Sequence, residues 1–318
     1  MAPRKGAPYT TLGIVNARAA LLAVATAWLV SVSLAGQNFV TKSVCPDDNP
    51  AVFRPCALGA ARAFTPPKTP DGKPDLSGLW RRRSAAFEDL EAHPKNPDDG
   101  GGPSVVVDPA DGKVPMQPWA DARRLDNAAK YLHHNAACLP AGTPGTMYMS
   151  GLYNIDQTSS TIAIIGEQLS PHPYRSIPLD SHAHVGSGIT LWNGDSRGRW
   201  DGNTLVIDTT NQNGRNYLDQ RGRFYTEQAH VVERVTPVDA DTLLYEATID
   251  DANVYTRSFT IAFPFRRNAL KNAEVWEEAC YEANESQMIL FRNNGFKVYP
   301  GITAKEAREL KAAWESRR

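Results

Sequence analysis

Residues Gly194-Asp195-Ser196-Arg197-Gly198 spell G-x-S-x-G, the spacing that in hydrolases sets a nucleophilic serine on a strained elbow. That elbow requires a helix directly after the serine. Here Ser196 is followed by Arg199-Trp200, the turn pair Asp201-Gly202 and a β-branched run over 203–210, the pattern of a hairpin. Ser196 is expected at a turn or strand end, without a nucleophile's role.

The second chemical spacing is His182-x-His184. On a strand, residues two apart share a face, so both imidazoles would reach one metal, with His230, His172 or Asp180 as third ligand. Val185-Gly186-Ser187-Gly188 follows, without the glutamate that completes cupin-type sites, and the glycines favour a loop. The expectation is no metal and no cofactor, with zinc or copper as the alternative. Acid–base work is the stronger reading. His184 and His230 would carry protons, Asp180 would fix a tautomer, and Tyr225 or Arg234 would stabilise developing charge. Alternation over 230–235 puts His230, Val232 and Arg234 on one face, taken to point inward. Trp192, Tyr217, Asp219, Arg221 and His182 are expected to contact substrate. Asp208 reads as a turn cap, and His133-His134 as helix-end residues suited to the dipole.

These side chains need a scaffold, and the elements read mainly as β. Extended runs are predicted over 104–107, 158–166, 197–200, 203–210, 229–235, 242–249 and 254–263. Asp201-Gly202, Asp239-Ala240-Asp241 and Asp250-Asp251-Ala252-Asn253 turn the chain between the later ones. Short strands in series imply an antiparallel meander, closed or nearly closed into a barrel whose mouth takes a ligand. Helical spacing covers 119–135. Thr303-Ala304-Lys305-Glu306 is a capping box that opens a C-terminal helix within 303–318. The Pro-, Gly- and Asp-rich stretch 91–118 reads as a long loop insertion in a barrel domain spanning 66–302.

The first residues have the layout of a signal peptide, assigned to 1–35. Arg4, Lys5 and Arg18 precede an apolar stretch over 19–34, and Ser33-Leu34-Ala35 is a small-x-small exit. The expected location is the periplasm or the extracellular space, with membrane contact only through an uncleaved signal. Four cysteines suit that compartment. Of three possible pairings, Cys45 with Cys56 closes a short loop and clamps a turn-rich extension over 36–65, leaving Cys138 with Cys280. A formal charge of -1 supplies no basic surplus for nucleic acid.

The chain also resembles a family of exported bacterial proteins that share a leader "TPDG-PDLSG-W", a "C-P-G-P" loop, a "DGR-HP" turn and "W-G-S-G-WEGDTLVVDT". Matching stretches are 69–80, Cys138-Leu-Pro-Ala-Gly-Thr-Pro144, Asp180-Ser-His-Ala-His184 and 192–210. Tyr217-Leu218-Asp219, His230-Val-Val-Glu-Arg234, 249–256 and Cys280-Tyr-Glu282 continue the likeness, which covers roughly 66–282. It implies a lipocalin-like (calycin-type) β-barrel and brings no activity with it. The turn departs from the pattern, with His182 and Val185 in place of its arginine and proline.

Together these readings describe an exported small-molecule enzyme. It would perform cofactor-free acid–base chemistry of the isomerase, cyclase, lyase or hydrolase type on an apolar or aromatic substrate in a barrel pocket. The alternative is a non-enzymatic carrier for a small hydrophobic ligand.

Overall fold

The computed structural model describes residues 41–317, apart from 98–99, 150, 168–173, 271 and 278. The expected signal peptide and His172 lie outside the described residues.

The chain is mainly β. Among the described residues its strands are β1 (Gly78–Arg82), β2 (Val106–Asp108), β3 (Tyr131–Leu132), β4 (Leu152–Gln157), β5 (Thr161–Gly166) and β6 (Tyr174–Pro178). The later ones are β7 (Asp195–Asp201), β8 (Thr204–Thr210), β9 (His230–Asp239), β10 (Thr242–Asp250), β11 (Phe259–Arg267) and β12 (Lys297–Val298). Nine of them form one antiparallel sheet in the order β6-β5-β4-β1-β11-β10-β9-β8-β7, and β2 shares an edge of β11 with β1. The small pair β3–β12 is parallel.

This sheet curls into a nearly closed, lipocalin-like barrel. The two path ends, β6 and β7, meet side by side without ladder hydrogen bonds among the described residues. Gly198 makes that approach possible. A Cβ there would stand 2.7 Å from Leu179 Cδ2 and 2.8 Å from Ile177 Cγ2. Gly194 has a different reason. Its φ of +70° and the 2.6 Å that would separate a Cβ from the Thr210 carbonyl demand glycine at the turn into β7. The glycines of the G-x-S-x-G stretch thus serve a tight turn and the barrel seam, and Ser196 lies within β7 with no helix after it.

The interior is packed, which corrects the expectation of a hollow barrel pocket. Alternation turns Trp80, Tyr153, Tyr245, Phe263 and Phe265 inward, all buried. Tyr153 meets Phe265 edge-on at 5.2 Å between centroids, and Tyr245 lies 4.9 Å from Phe263. Ile162, Ile164 and Ile177 fill the space nearer the seam.

Helices decorate this frame. Helix α1 (Pro50–Ala63) corrects the turn-rich reading of 36–65. Asn49 caps it by accepting from the Ala51 amide, Pro50 suits its first turn, and alanines at 51, 57, 60, 61 and 63 favour the helix despite Pro55 and Gly59 within it. Phe53 and Ala57 bury against Val238, Leu244 and Ala262 on the outer barrel face. Disulfide Cys45–Cys56 anchors the helix, and Cys138–Cys280 joins the loop after α2 (Pro118–Lys130) to the start of α3 (Cys280–Asn293). The helix expected over 119–135 ends five residues early, giving way to β3 and a 3-10 turn at His134–Ala137. The capping box at Thr303 opens α4 (Ala304–Glu315), with both reciprocal hydrogen bonds made. No helix among the described residues is long and apolar enough to cross a membrane.

Candidate functional site: a histidine–carboxylate chain on the outer barrel face

Strand alternation decides which side chains meet. In β9, Val231, Glu233 and Val235 are buried inward, whereas His230, Val232 and Arg234 point outward. The inward assignment of His230 and Arg234 is therefore reversed. Their shared face holds, but it is the solvent face, because the hydrophobic valines claim the core. In β7 and β8, Asp195 and Asp208 face outward, while Ser196 and Thr209 pair across the interior.

On this outer face four groups form a hydrogen-bonded chain. His184 Nδ1 lies 2.8 Å from Asp195 Oδ2, and His184 Nε2 lies 2.9 Å from Asp208 Oδ1. The second Asp208 oxygen is 2.9 Å from His230 Nε2. The Val185 amide also donates to Asp195, and Arg197 pairs with the same carboxylate. Both His184 contacts are hydrogen bonds at once only when the ring is an imidazolium, since the neutral form donates from one nitrogen. Burial pushes the Asp208 carboxyl up, but hydrogen bonds from His230 and His184 outweigh it and hold the group below the usual aspartate value.

A strap carries His184 into place. Asn211 donates through Nδ2 to the carbonyls of Val185, Gly186 and Ile189, pinning the glycine-rich segment over the sheet. The side chains of His184 and His230 keep 26% and 44% of their surface exposed, so the chain ends in solvent at His230.

The other expected site residues go elsewhere. Asp180 pairs with His182 in solvent at 2.8 Å and does not orient His184. His182 and His184 thus engage different carboxylates, off any strand, and do not converge on a metal. Among the described residues no group of three or more His, Cys, Asp or Glu is placed to hold one. Tyr225 is buried and donates to Gln212, with Asn216 beside it. Arg234 pairs with Asp201 on the surface. Asp219, wholly buried, joins Asp89 and Glu91 around Arg223, and Arg221 also reaches Asp89. Asp219 and Arg221 thereby tether the chain at Asp89 and Glu91, where the long loop begins, and do not line a ligand mouth. Tyr217 stacks on Tyr299 at 4.3 Å. Trp192 borders a surface recess.

His133 and His134 do not serve a helix dipole. His134 is 1% exposed, and burial drives His133 down to about 3 and His134 well below the ordinary histidine value.

Asp195 and Asp208 were missed as partners, although the signal was present. Once 195–201 and 204–210 are read as a hairpin around Asp201-Gly202, pairing sets Arg197 opposite Asp208 and leaves Asp195 two residues away on the same face. No family model, curated protein or solved structure matches the chain.

Proposed function

We propose that the protein is an exported small-molecule enzyme that moves protons by cofactor-free acid–base chemistry at His230. The observation that carries this reading is the Asp208 carboxylate, which holds one imidazole on each oxygen at 2.9 Å. His230 Nε2 is fixed by Asp208, which leaves Nδ1 as the atom that takes a proton from a substrate and returns it to another of its atoms. Isomerisation and cyclisation need no more than that exchange; in an elimination the bond to the leaving group breaks and the imidazolium proton departs with that group, and no net oxidation occurs in any of the three. Behind Asp208, His184 and Asp195 keep the carboxylate oriented. The exposed Ile189 and Leu191 on the His184 strap offer apolar surface for an aromatic or terpenoid body. Two disulfides support an exported setting.

The test is turnover by the purified protein across a panel of aromatic and terpenoid compounds, followed by His230→Ala and Asp208→Asn. Loss of about a hundredfold or more in both variants is expected. Turnover unchanged in both removes the assignment.

A further inference from the structure

Helix α3 is held to the body of the protein by one covalent bond and little burial. Among its described residues only Cys280 is buried, through the disulfide to Cys138. Asn284, Met288 and Phe291 are half-buried and recur every three or four residues, which marks the inner side of the helix. The rest faces water. Six of the twelve large hydrophobic side chains exposed among the described residues lie in 270–296, so uncovered apolar surface is concentrated in this segment. Tyr281, Ile289 and Leu290 on the helix are 50%, 47% and 57% exposed, and Phe296 just beyond it is 56% exposed.

The charges of α3 are sorted along its length. Glu282 and Glu285 stand in the first half and Arg292 in the last turn, all exposed. At 3.6 residues per turn, Glu282, Glu285, Ile289 and Arg292 fall within about a quarter of the circumference, a stripe that the half-buried residues do not share. Glu285 and Arg292 are two turns apart, beyond the reach of neighbouring-turn pairing. Neither side chain has an ion-pair partner among the described residues.

A second copy of the same helix, laid antiparallel, answers both features. A two-fold axis between residues 288 and 289 sets Glu285 against the partner's Arg292, twice, and brings the two Ile289 side chains together. The stripe is therefore complementary to itself, as a symmetric pairing requires. A membrane surface fits less well. Glu274 and Glu277, also exposed, lead into the helix, and with Glu282 and Glu285 they outnumber Arg292 and Lys297, which disfavours an anionic bilayer.

We propose that α3 is a self-association surface through which two copies of this chain pair antiparallel, with Ile289 at the centre and two reciprocal Glu285–Arg292 pairs about it. The apolar side chains supply the affinity and the ion pairs set the register, since exposed pairs add little strength. A contact one helix long is small for an interface, so the dimer dissociates on dilution. None of the residues of the proton chain takes part.

The purified protein is followed by sedimentation equilibrium over roughly two decades of concentration. Wild type is expected to pass from monomer to dimer. Glu285→Arg brings like charges together, as does Arg292→Glu, and each is expected to weaken dimerisation at least tenfold, with folding checked by circular dichroism. Mixing the two single variants restores a dimer, because each supplies the charge that the other lacks. The double variant Glu285→Arg/Arg292→Glu restores it too, whereas a merely damaged helix would recover in neither case. A monomeric wild type, an unweakened Glu285→Arg dimer, or single variants that fail to associate when mixed would each overturn the proposal. A monomeric wild type that binds phosphatidylcholine vesicles would assign the face to a membrane instead.

Discussion

The two faces of β7, β8 and β9 carry two charge networks built from adjacent residues. Inside, Arg175 from β6 crosses the open seam to Glu233, with Ser196, Thr209 and Tyr245 supplying hydroxyls around it. Outside, one residue away from Ser196 and Thr209 on β7 and β8 and three from Glu233 on β9, Asp195, Asp208 and His230 join His184. The inner network is fully desolvated and closes both Glu233 oxygens. The outer one is half-exposed and ends in an imidazole open to water. The difference teaches that alternation sorts charged residues of neighbouring strands into a buried fastening and a half-exposed chain. Position relative to the core, more than residue type, decides which role each takes.

The strongest way to break the inner network is Glu233→Gln. It leaves the Arg175 guanidinium buried without its counter-ion, and a loss of about 3–5 kcal/mol in urea unfolding is expected. Replacing Arg175 and Glu233 together by methionine should cost much less, because no uncompensated charge remains. If the double variant proves as unstable as Glu233→Gln, the seam depends on the ion pair itself and not on avoiding a buried charge.

Gly198→Ala attacks the same seam through packing. The added methyl meets Leu179 and Ile177 below 3 Å, so a loss of about 1–3 kcal/mol is expected. A neutral result would mean that β6 and β7 are not pressed together.

Acid separates buried histidines from exposed ones. The folded protein disfavours protons on His133 and His134, so the unfolded chain binds more of them once the pH falls below the ordinary value of 6.5. Stability is then lost as pH drops below 6.5, for His133 down towards about 3. Urea midpoints measured across this window should show the slope, and His134→Phe should flatten it. A pH-independent midpoint contradicts the neutral burial of the pair.

The smallest stability effect belongs to the outer chain. Asp208→Asn is expected to cost under about 1 kcal/mol, since its partners are water-accessible. Asp208 is held low, so its contribution is present above the unfolded value of 3.8 and is lost as pH falls through the folded one. A loss of several kcal/mol in this variant at neutral pH would make the outer chain structural and remove its distinction from the inner one.

Much of this architecture was legible in the sequence. Turn pairs marked the β7–β8 and β9–β10 hairpins, cysteine spacing gave the disulfides, and the capping box gave α4. Strands β4 and β6 and helix α3 escaped, because their neighbours carry no sharp turn signal and α3 buries no apolar stripe that would announce it. The site was half legible. His184 and His230 were singled out, but their partners were sought nearby in sequence, at Asp180, and across the interior, at Tyr225. Their actual partner, Asp208, comes from a different strand whose register only the folded sheet sets. Facing was the other obstacle. Alternation fixes which residues share a side, but in β9 a buried glutamate on the inner face made the polar pattern ambiguous.

The central claim, that His230 stands on the outer face beside a packed interior, is tested most directly by carbethoxylation of the native protein with diethyl pyrocarbonate, mapped by mass spectrometry. His182, with 81% of its side chain exposed, and His230, with 44%, should be modified rapidly, His184 more slowly, and His134 only after unfolding. Protection of His230 equal to that of His134 would place it inside the barrel and contradict the account.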